Sequence, residues 1–531
     1  MARLHSASSA IGNPIDPAPL RSPAIGTADA RRKVGVVLSK TFLALGLGLL
    51  PLGCVPMLVG IPQRDVDTTV PERFAADSPT IESAAALPVE SIFQDPNLLA
   101  LVEEALRKNQ ELDILQLEVT IANAEVMART GEYQPKVGIG AGAGLERVGR
   151  YTSQGASDAA DEITPGREVP EDLPRYRLGF TASWEVDLWG RLRDATKAAI
   201  LRASATIEGR NYVVTRLVAE IARSYYELLA LDSQLRVLER NIEIQNQALE
   251  VVRAQKAAAQ VTELAVQRFE AEVLHNRSRV FEVRQQLVET ENRINVILGR
   301  FPQPIVRSSE GFLELAPAVL VTGLPAQLLA NRPDLRQAEL QLLASDLDVS
   351  VARARYYPSL TIDAAVGVEA FELSRMSTWP TSIFYDVFGG LSAPLLNRKA
   401  ITASYIEASA TKMQAVLNFE KTLREAFAEA ANQVAMIENL GKKYELKAQQ
   451  VTLLGQAIEV SNQLFASARA DYMEVLLTRR DALESQLELI ETKKLQLGAV
   501  VNMYQALGGG WRRPEAESSG TSDTEVKAQD Q

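Results

Sequence analysis

The feature that most constrains this chain is a helical heptad pattern much longer than a small globular domain needs. From Arg210 to Leu298 the sequence contains neither glycine nor proline. Apolar residues recur there at alternating spacings of four and three, in a stripe through Leu231, Leu235, Leu238, Ile242, Gln245, Leu249 and Val252. After a break near 256–263 a second stripe runs through Val266, Phe269, Val273, Asn276, Val280, Val283, Leu287, Thr290, Ile294 and Ile297. This spacing predicts two long helices that fold back on each other as a hairpin.

The pattern occurs twice, because the chain carries an internal repeat at an offset of about 205 to 225 residues. The first copy has a helix, Tyr133-Gln134-Pro135, two strands, Leu188-Trp189-Gly190-Arg191, two long helices and Leu298-Gly299. The second has a helix, Tyr356-Tyr357-Pro358, two strands, Leu395-Leu396-Asn397-Arg398, two long helices with a tip near 467–472, and Leu507-Gly508. A helix from about 191 to 256 would be roughly 100 Å long.

The repeats also set the domain organisation. Residues 91–301 and 325–511 are the two copies, and the linker 302–324 contains Pro302, Pro304 and Pro317, which interrupt regular structure. Before the repeats lie an N-terminal extension with a signal peptide, 1–53, and a segment 54–90. The tail 512–531 is charged and rich in small residues, so we expect it to be disordered.

The four predicted strands alternate in polarity. In 176–186 the even positions are apolar, whereas the odd positions are small or polar. The strands at 136–146 and 359–369 behave alike, but the one at about 383–393 is less regular, since Phe384 and Phe388 fall on the polar face. Such alternation fits a transmembrane β-strand and equally a half-buried soluble sheet. Four strands cannot close a membrane barrel, whose smallest examples have about eight, so the membrane interpretation requires several chains. The loop 147–174 is long and polar, as expected of an exposed outer loop.

The N-terminus resembles an export signal. Arg31, Arg32 and Lys33 precede an apolar run from Thr41 to Gly53, and Cys54 follows. The run is shorter than the about 20 apolar residues of a membrane-spanning helix. Cys54 lies where a lipoprotein signal peptidase would cut, although Pro51 replaces the usual leucine. We therefore predict that Cys54 is lipidated; the alternative is an ordinary signal peptide with an incidental cysteine. No other segment has the character of a transmembrane helix, so a membrane crossing would use strands.

Composition excludes several classes of function. The formal net charge of −11 argues against nucleic acid as a partner. With two histidines, His5 and His275, and one cysteine, the chain cannot build a Cys/His metal cluster or an internal disulfide. His275 lies outside the apolar stripes and is expected to be solvated. No glycine-rich phosphate loop or paired catalytic carboxylates are evident, so we predict no cofactor, no metal and no enzymatic activity.

Specific motifs add a family resemblance across roughly Ser91 to Trp511. They are Ser183-Trp184-Glu185-Val186-Asp187-Leu188-Trp189-Gly190-Arg191, Leu329-Ala330-Asn331-Arg332-Pro333-Asp334-Leu335, Tyr356-Tyr357-Pro358-Ser359-Leu360, Tyr472-Met473-Glu474-Val475-Leu476 and Ala506-Leu507-Gly508-Gly509-Gly510-Trp511. Together they resemble TolC-like outer-membrane efflux proteins, in particular the lipoprotein branch that serves resistance-nodulation-division pumps.

The resemblance implies a mainly α fold with membrane β structure. Three chains would form a twelve-strand β-barrel continuous with a twelve-helix α-barrel, built from two repeats per chain. This homotrimer would be lipid-anchored in the outer membrane and extend into the periplasm. There it would meet a periplasmic adaptor protein and an inner-membrane resistance-nodulation-division transporter, and conduct small molecules passively to the exterior.

Two groups of residues are predicted to matter for such a duct. At the strand-to-helix junction, Asp187 can satisfy free N–H groups at the helix start, beside Arg191. Trp184 suits a membrane interface, where its indole N–H would stay wet, and Trp189 lies nearby; core packing is the alternative for both.

The resemblance also implies a periplasmic gate of acidic residues just after the second hairpin tip. Here Glu474 keeps one acid, Leu477 replaces the other, and Ala265 is the counterpart of Glu474 in the first repeat. An exposed helix residue is the alternative for Glu474. The tips, Lys256 to Thr262 and Ala466 to Asp471, are the predicted adaptor-contacting edges.

Two other functions remain open on the sequence. The exit channel of a type I protein-secretion system shares the architecture, although Cys54 and the closing Gly508-Gly509-Gly510-Trp511 favour efflux. A coiled-coil envelope scaffold lipoprotein without a pore would also explain the heptads. It would need no detergent once its lipid is removed.

Overall fold

Each repeat folds as a shorter helix, two strands and a long helical hairpin, as the sequence predicts. The structure, a computed structural model, describes residues 62, 64–74, 87–318, 325–394, 398–467 and 469–511, all within one compact unit, Val59–Gln531. The signal peptide, Cys54 and the C-terminal tail lie outside the described residues.

Two short helices precede the long helix α3 in the first part of the described chain. In order, the elements are α1 (Val89–Ile92), α2 (Pro96–Lys108), α3 (Gln110–Tyr133), β1 (Lys136–Glu146), α4 (Ser153–Ala160), β2 (Glu162–Thr164), β3 (Arg167–Glu168), β4 (Leu173–Val186), α5 (Arg191–Ala257) and α6 (Glu263–Ile297). The segment expected as a plain outer loop therefore contains a helix and a small antiparallel strand pair. Thr152 caps that helix through its side chain, which accepts the Gly155 N–H.

The second repeat has the same order of major elements. It contains α7 (Leu328–Asn331), α8 (Pro333–Ala354), β5 (Ser359–Ala370), β6 (Ile383–Ser392), α9 (Lys399–Ala466) and α10 (Tyr472–Ala506), with 3-10 turns at Pro325–Gln327 and Leu373–Ser377. The linker holds a further 3-10 turn, Phe312–Glu314, whose Phe312 is buried in the main core. The strand bounds and both hairpin tips lie within a few residues of the predicted positions.

The four long strands form one antiparallel sheet in the order β1-β4-β5-β6. Strand β1 pairs with β4, β4 with β5, and β5 with β6, which joins the two repeats at the centre of the sheet. Within the described chain, β1 and β6 are consequently edge strands.

The hairpins pack through the predicted heptads. All ten positions of the α6 stripe are buried, including the polar Asn276 and Thr290, while His275 is exposed. Helices α5 and α6 pack together, α9 packs on α10, and α10 also packs on α5. Nearer the sheet, α5 lies between α3 and α8, and α8 contacts α9. None of the helices in the described ranges combines the length and the apolar character that crossing a bilayer demands.

Both repeats end in the same device. Gly299 and Gly508 have φ of 67° and 87°, a left-handed conformation that favours glycine. A Cβ at either would lie 2.5 Å from the carbonyl oxygen of Lys108 or Asn331, respectively. In each repeat, the residue after that carbonyl donates a hydrogen bond to the end of the last helix. Asn109 Nδ2 donates to the Ile297 carbonyl at 2.7 Å, and Arg332 Nη1 donates to the Ala506 carbonyl at 2.8 Å.

Residues 64–74 lie against α9. The Glu420 side chain is only 1% exposed, and its carboxylate accepts from the Arg64 guanidinium and, at 3.1 Å, from the Asp67 N–H. Phe74 stacks on Phe427 with ring centroids 5.5 Å apart. Because a buried carboxylate requires such donors, this N-terminal segment contributes to the stability of α9.

Candidate functional site: the two sheet faces, the strand-to-helix junction and the hairpin tips

One face of the four-stranded sheet is continuously apolar. Residues paired directly across antiparallel strands share a face, and the register places Ile139, Phe180, Val366 and Tyr385 in one row. The rows on either side behave alike. They contain Val137, Ala182, Ala364 and Val387, and Ala141, Leu178, Val368 and Ile383. Since no charged residue falls on this face within the four strands, it is suited to lipid.

The opposite face is polar and contains many glycines. Its charged residues are Lys136, Glu146, Arg175, Arg177, Glu185, Asp363, Glu369 and Asp386. Arg175 pairs with Glu369 at 2.6 Å, and Arg177 approaches the same carboxylate at 3.7 Å. Two faces of such opposite character are typical of a strand set with lipid on one side and water on the other.

Asp187 caps the long helix α5 from outside it. The formal N-cap, Gly190, has φ of 76° and no side chain to accept the free N–H groups. Asp187 takes this role, since Oδ1 accepts the Leu192 N–H at 3.2 Å and Oδ2 accepts the Arg193 N–H at 3.0 Å. Burial raises the pKa of this carboxyl, but the two N–H groups and the Arg193 guanidinium outweigh it, so that the pKa is lower than the ordinary 3.8. These two contacts are those expected of a helix cap, which is the role predicted for Asp187.

Arg191 ties the end of β4 to the start of α5. Its Nη2 donates to both carboxylate oxygens of Glu185, at 2.6 and 2.7 Å. This pair is only part-buried, so we assign it an orienting effect more than a large contribution to stability.

Both junction tryptophans donate to main-chain carbonyls at helix-to-strand junctions. Trp189 Nε1 donates to the Pro358 carbonyl at 2.7 Å, and its ring stacks on Tyr357 with centroids 4.8 Å apart. Trp184 Nε1 donates to the Tyr133 carbonyl at 3.1 Å. The Trp184 N–H thus has a protein acceptor, and its place at a membrane interface stays a prediction.

Sequence reasoning missed these partners, although the repeated Tyr-x-Pro motif held the signal. Both acceptors belong to Tyr133-Gln134-Pro135 and Tyr356-Tyr357-Pro358. Each Trp thus links a strand-to-helix junction to a helix-to-strand junction.

The proposed gate residues lie in the first turns of α10. Glu474 is exposed, and Leu477 is 40% exposed. Ala265, the counterpart of Glu474 in the first repeat, is fully buried. The neighbouring side chains on α10 face the first hairpin, where Tyr472 and Leu476 pack on a tip cluster that includes Leu249, Val252, Phe269 and Val273.

A polar contact also joins the two tips. Arg268 Nη1 lies 3.0 Å from Met473 Sδ. No sequence pattern indicates this contact between the hairpins.

Across the described ranges, no group of three or more His, Cys, Asp and Glu side chains is placed to hold a metal ion.

Comparison with known proteins agrees with the geometry. The profile of the outer membrane efflux protein family matches residues 101–300 and 324–509. The probable outer membrane lipoprotein SilC of Salmonella typhimurium is 25% identical over 451 residues, covering 83% of this chain and 93% of SilC. The pyoverdine export outer membrane protein OpmQ of Pseudomonas putida is 27% identical over 438 residues, covering 82% of this chain and 91% of OpmQ.

The fold is shared with solved channels. The open state of the Neisseria gonorrhoeae MtrE outer membrane channel superposes with a TM-score of 0.75 at 21% identity, covering 85% of this chain and 98% of MtrE. The profile match spans more than half of the chain, at the positions of both repeats. The chain therefore belongs to the outer membrane efflux protein family.

Proposed function

We propose that this efflux protein is the outer-membrane duct of a tripartite pump and works as a passive homotrimer that conducts small molecules from the periplasm to the exterior. The observation that carries the proposal is the four-stranded sheet with one charge-free face, one polar face and two unpaired edges. Because four strands cannot enclose a pore, β6 of one copy must pair with β1 of the next. Three copies give a twelve-strand barrel.

The helices support the same assembly through the internal repeat. On α6, three apolar residues spaced seven positions apart form an exposed stripe. Leu274, Phe281 and Val288 are 58%, 69% and 50% exposed. Their counterparts on α10 are Leu483, Ile490 and Leu497, which are 2%, 2% and 5% exposed in the core that α5 and α10 share. The same stripe is thus covered in one repeat and bare in the other.

A second copy would supply the missing partner. Within the chain the hairpin helices neighbour one another in the order α6, α5, α10, α9. Placing copies around an axis brings α9 of one copy beside α6 of the next, the repeat equivalent of the α5–α10 contact. Three copies then form a twelve-helix tunnel continuous with the barrel.

The proposal also includes a membrane anchor and two partner proteins. SilC is named as a lipoprotein, which supports lipidation of Cys54 and anchoring in outer-membrane lipid. A duct without an energy source must receive its cargo from an inner-membrane transporter of the resistance-nodulation-division type through a periplasmic adaptor. We place the adaptor contact at the tips, Lys256 to Thr262 and Ala466 to Asp471. The name of OpmQ, a pyoverdine exporter, supports a small-molecule cargo.

The first experiment is mass determination of the detergent-extracted protein followed by recording in a planar bilayer. We expect a detergent-dependent particle of three chains that opens into an ion-conducting pore. A detergent-independent species without conductance would instead support the coiled-coil scaffold. A trimer that restores secretion of a protein, and not efflux, in a strain lacking its own channel would support type I secretion.

Glu474 and Leu477 form the proposed periplasmic constriction in that trimer. Three carboxylates around a narrow pore repel anions and attract cations, while Leu477 adds an apolar ring. Replacing Glu474 by Ala should raise leak conductance or reduce cation selectivity severalfold in single-channel recordings. Glu459→Ala, at another exposed position on α9, is the matched control. Identical recordings for the Glu474 variant and the wild type would remove Glu474 from the gate.

A further inference from the structure

Two aromatic side chains of β6 lie on the polar face of the sheet, against the alternation of the other strands. In the register Phe384 lies opposite Gly367, and Phe388 lies opposite Asp363. The alternation rule offers no reason for large apolar rings at these positions. For Phe384, the surrounding residues explain the position of the ring.

The ring of Phe384 lies over glycines of the two neighbouring strands. A Cβ at Gly367 would come within 2.9 Å of the ring, and one at Gly179 within 3.2 Å. The Arg177 guanidinium lies above, 4.0 Å from the ring centroid. On this face, therefore, a phenyl ring lies across the sheet because the adjacent strands carry no side chain beneath it. Aromatic cover of strand glycines in this way stabilises a sheet.

Strand β1 has the same glycine surface without a ring. Gly138, Gly140, Gly142 and Gly144 all lie on the polar face, and a Cβ at any of the last three would meet no atom within 4 Å. Nothing in the described chain thus requires glycine there. Since glycine weakens a strand, such positions commonly mark the close approach of another group.

The exposed ring of Phe388 on β6 and the glycines of β1 lie at opposite edges of the sheet. Phe388 on β6 is 62% exposed, and a Cβ at Gly390 of its own strand would lie 3.2 Å from its ring. In the proposed trimer, on which this inference depends, the β6 edge meets the β1 edge of the next copy. We propose that Phe388 of one copy packs over the β1 glycines of the next, as an aromatic–glycine seam on the inner face of the barrel.

Cysteine cross-linking tests the proximity. Phe388→Cys is combined in turn with Gly138→Cys, Gly140→Cys, Gly142→Cys and Gly144→Cys in the full chain, and the membranes are oxidised. A disulfide forms only where Cβ atoms come within about 3.5–4.5 Å. We expect covalent dimers and trimers on denaturing gels for one glycine position or two successive ones. Val387→Cys, on the opposite face, should give none, and each single variant controls for Cys54.

Ring packing is separated from mere proximity by a stability measurement. At the cross-linking position, Gly→Val and Phe388→Ala should each reduce severalfold the fraction of trimer that survives heating in detergent. Phe388→Tyr should retain it, and the Val/Ala double variant should recover part of it, because the smaller side chain makes room for the valine. Gly389→Ala, on the apolar face of β6 where a Cβ also meets nothing, is the matched control.

Two results would overturn the seam. One is a conducting wild-type trimer in which no glycine position cross-links with residue 388. The other is a Gly→Val variant that lowers conductance but leaves the heat resistance of the trimer unchanged, which would mean that the glycines only keep the bore wide. In both cases the trimeric duct stands. A wild-type protein that forms no trimer would contradict the duct itself.

Discussion

At the scale of single residues, Asp187 provides a cap that its helix cannot provide for itself. Its side chain is 3% exposed, and it accepts from two N–H groups of the first turn of α5. Asp187→Ala should therefore cost about 1–2 kcal/mol, which is the usual effect of losing a helix cap. The lower temperature at which helical circular dichroism is lost would measure it. Asp194→Ala, which removes an acid paired with Lys197 in the same turn, should have a smaller effect.

The Asp187 carboxyl also makes the stability of the folded chain depend on pH. Its pKa in the folded chain is lower than the ordinary 3.8, so its stabilisation is complete above that value and is lost as the pH falls through the lower, folded value. Asp187→Asn should thus be less stable than the wild type near neutral pH. The two should converge in thermal melts at pH values below about 3.8. A difference that stays constant down to the acid limit would contradict the assignment.

At the scale of elements, the first hairpin contains one polar layer inside its apolar stripe. Asn276 Nδ2 donates to Gln245 Oε1 at 3.0 Å, and both residues are buried. Asn276→Leu should destabilise the hairpin by about 1–3 kcal/mol, because it leaves the Gln245 amide buried without this partner. Adding Gln245→Leu should recover that loss, as removing both partners together is nearly neutral. Hydrogen exchange of peptides spanning 240–280 would report both effects.

A non-additive result is the sign that the two residues act as one layer. If the change in hydrogen exchange in the double variant equals the sum of the changes in the two single variants, Asn276 and Gln245 are independent. Such a layer also restricts how far one helix can slide on the other, because a shift by one turn would bury each amide against apolar side chains.

The hairpins and the strands are the parts that the sequence predicts well. The α6 stripe from Val266 to Ile297 is buried at every position, since heptad spacing directly determines which face of a helix meets its partner. The alternation on β4 likewise fixes which residues share a face. These are local patterns, and local patterns can be read from one sequence.

Contacts between distant segments are the parts that it does not predict. Trp184 finds its acceptor at Tyr133, and Trp189 finds its own at Pro358, far along the chain. Arg268 and Met473 meet only because two hairpins lie side by side. The glycine surface beneath Phe384 is supplied by two other strands. Each depends on sheet order and hairpin packing, which no single segment encodes.

At the scale of the whole molecule, the repeat gives a physical reason for the proposed trimer. Two like units fold together and bury one copy of their shared contact, but a linear pair always leaves the equivalent surface of the other unit bare. The same holds for the sheet edges. A closed ring of such units leaves no edge, which is the general advantage of cyclic symmetry.

Phe281, at the centre of the bare α6 stripe, gives the sharpest test of that closure. Phe281→Glu should leave each chain folded but prevent assembly, because a carboxylate would be buried unpaired at every subunit contact of the ring. We expect native mass spectrometry in detergent to show a shift from three chains to one, with helical circular dichroism retained. The repeat counterpart, Ile490→Glu, should instead reduce the helical signal, since Ile490 is 2% exposed within the chain itself. Gln285→Glu, an exposed polar position on α6, should change neither. If Phe281→Glu assembles as the wild type does, the two hairpins of neighbouring copies do not meet along this stripe, and only the sheet edges would hold the assembly together.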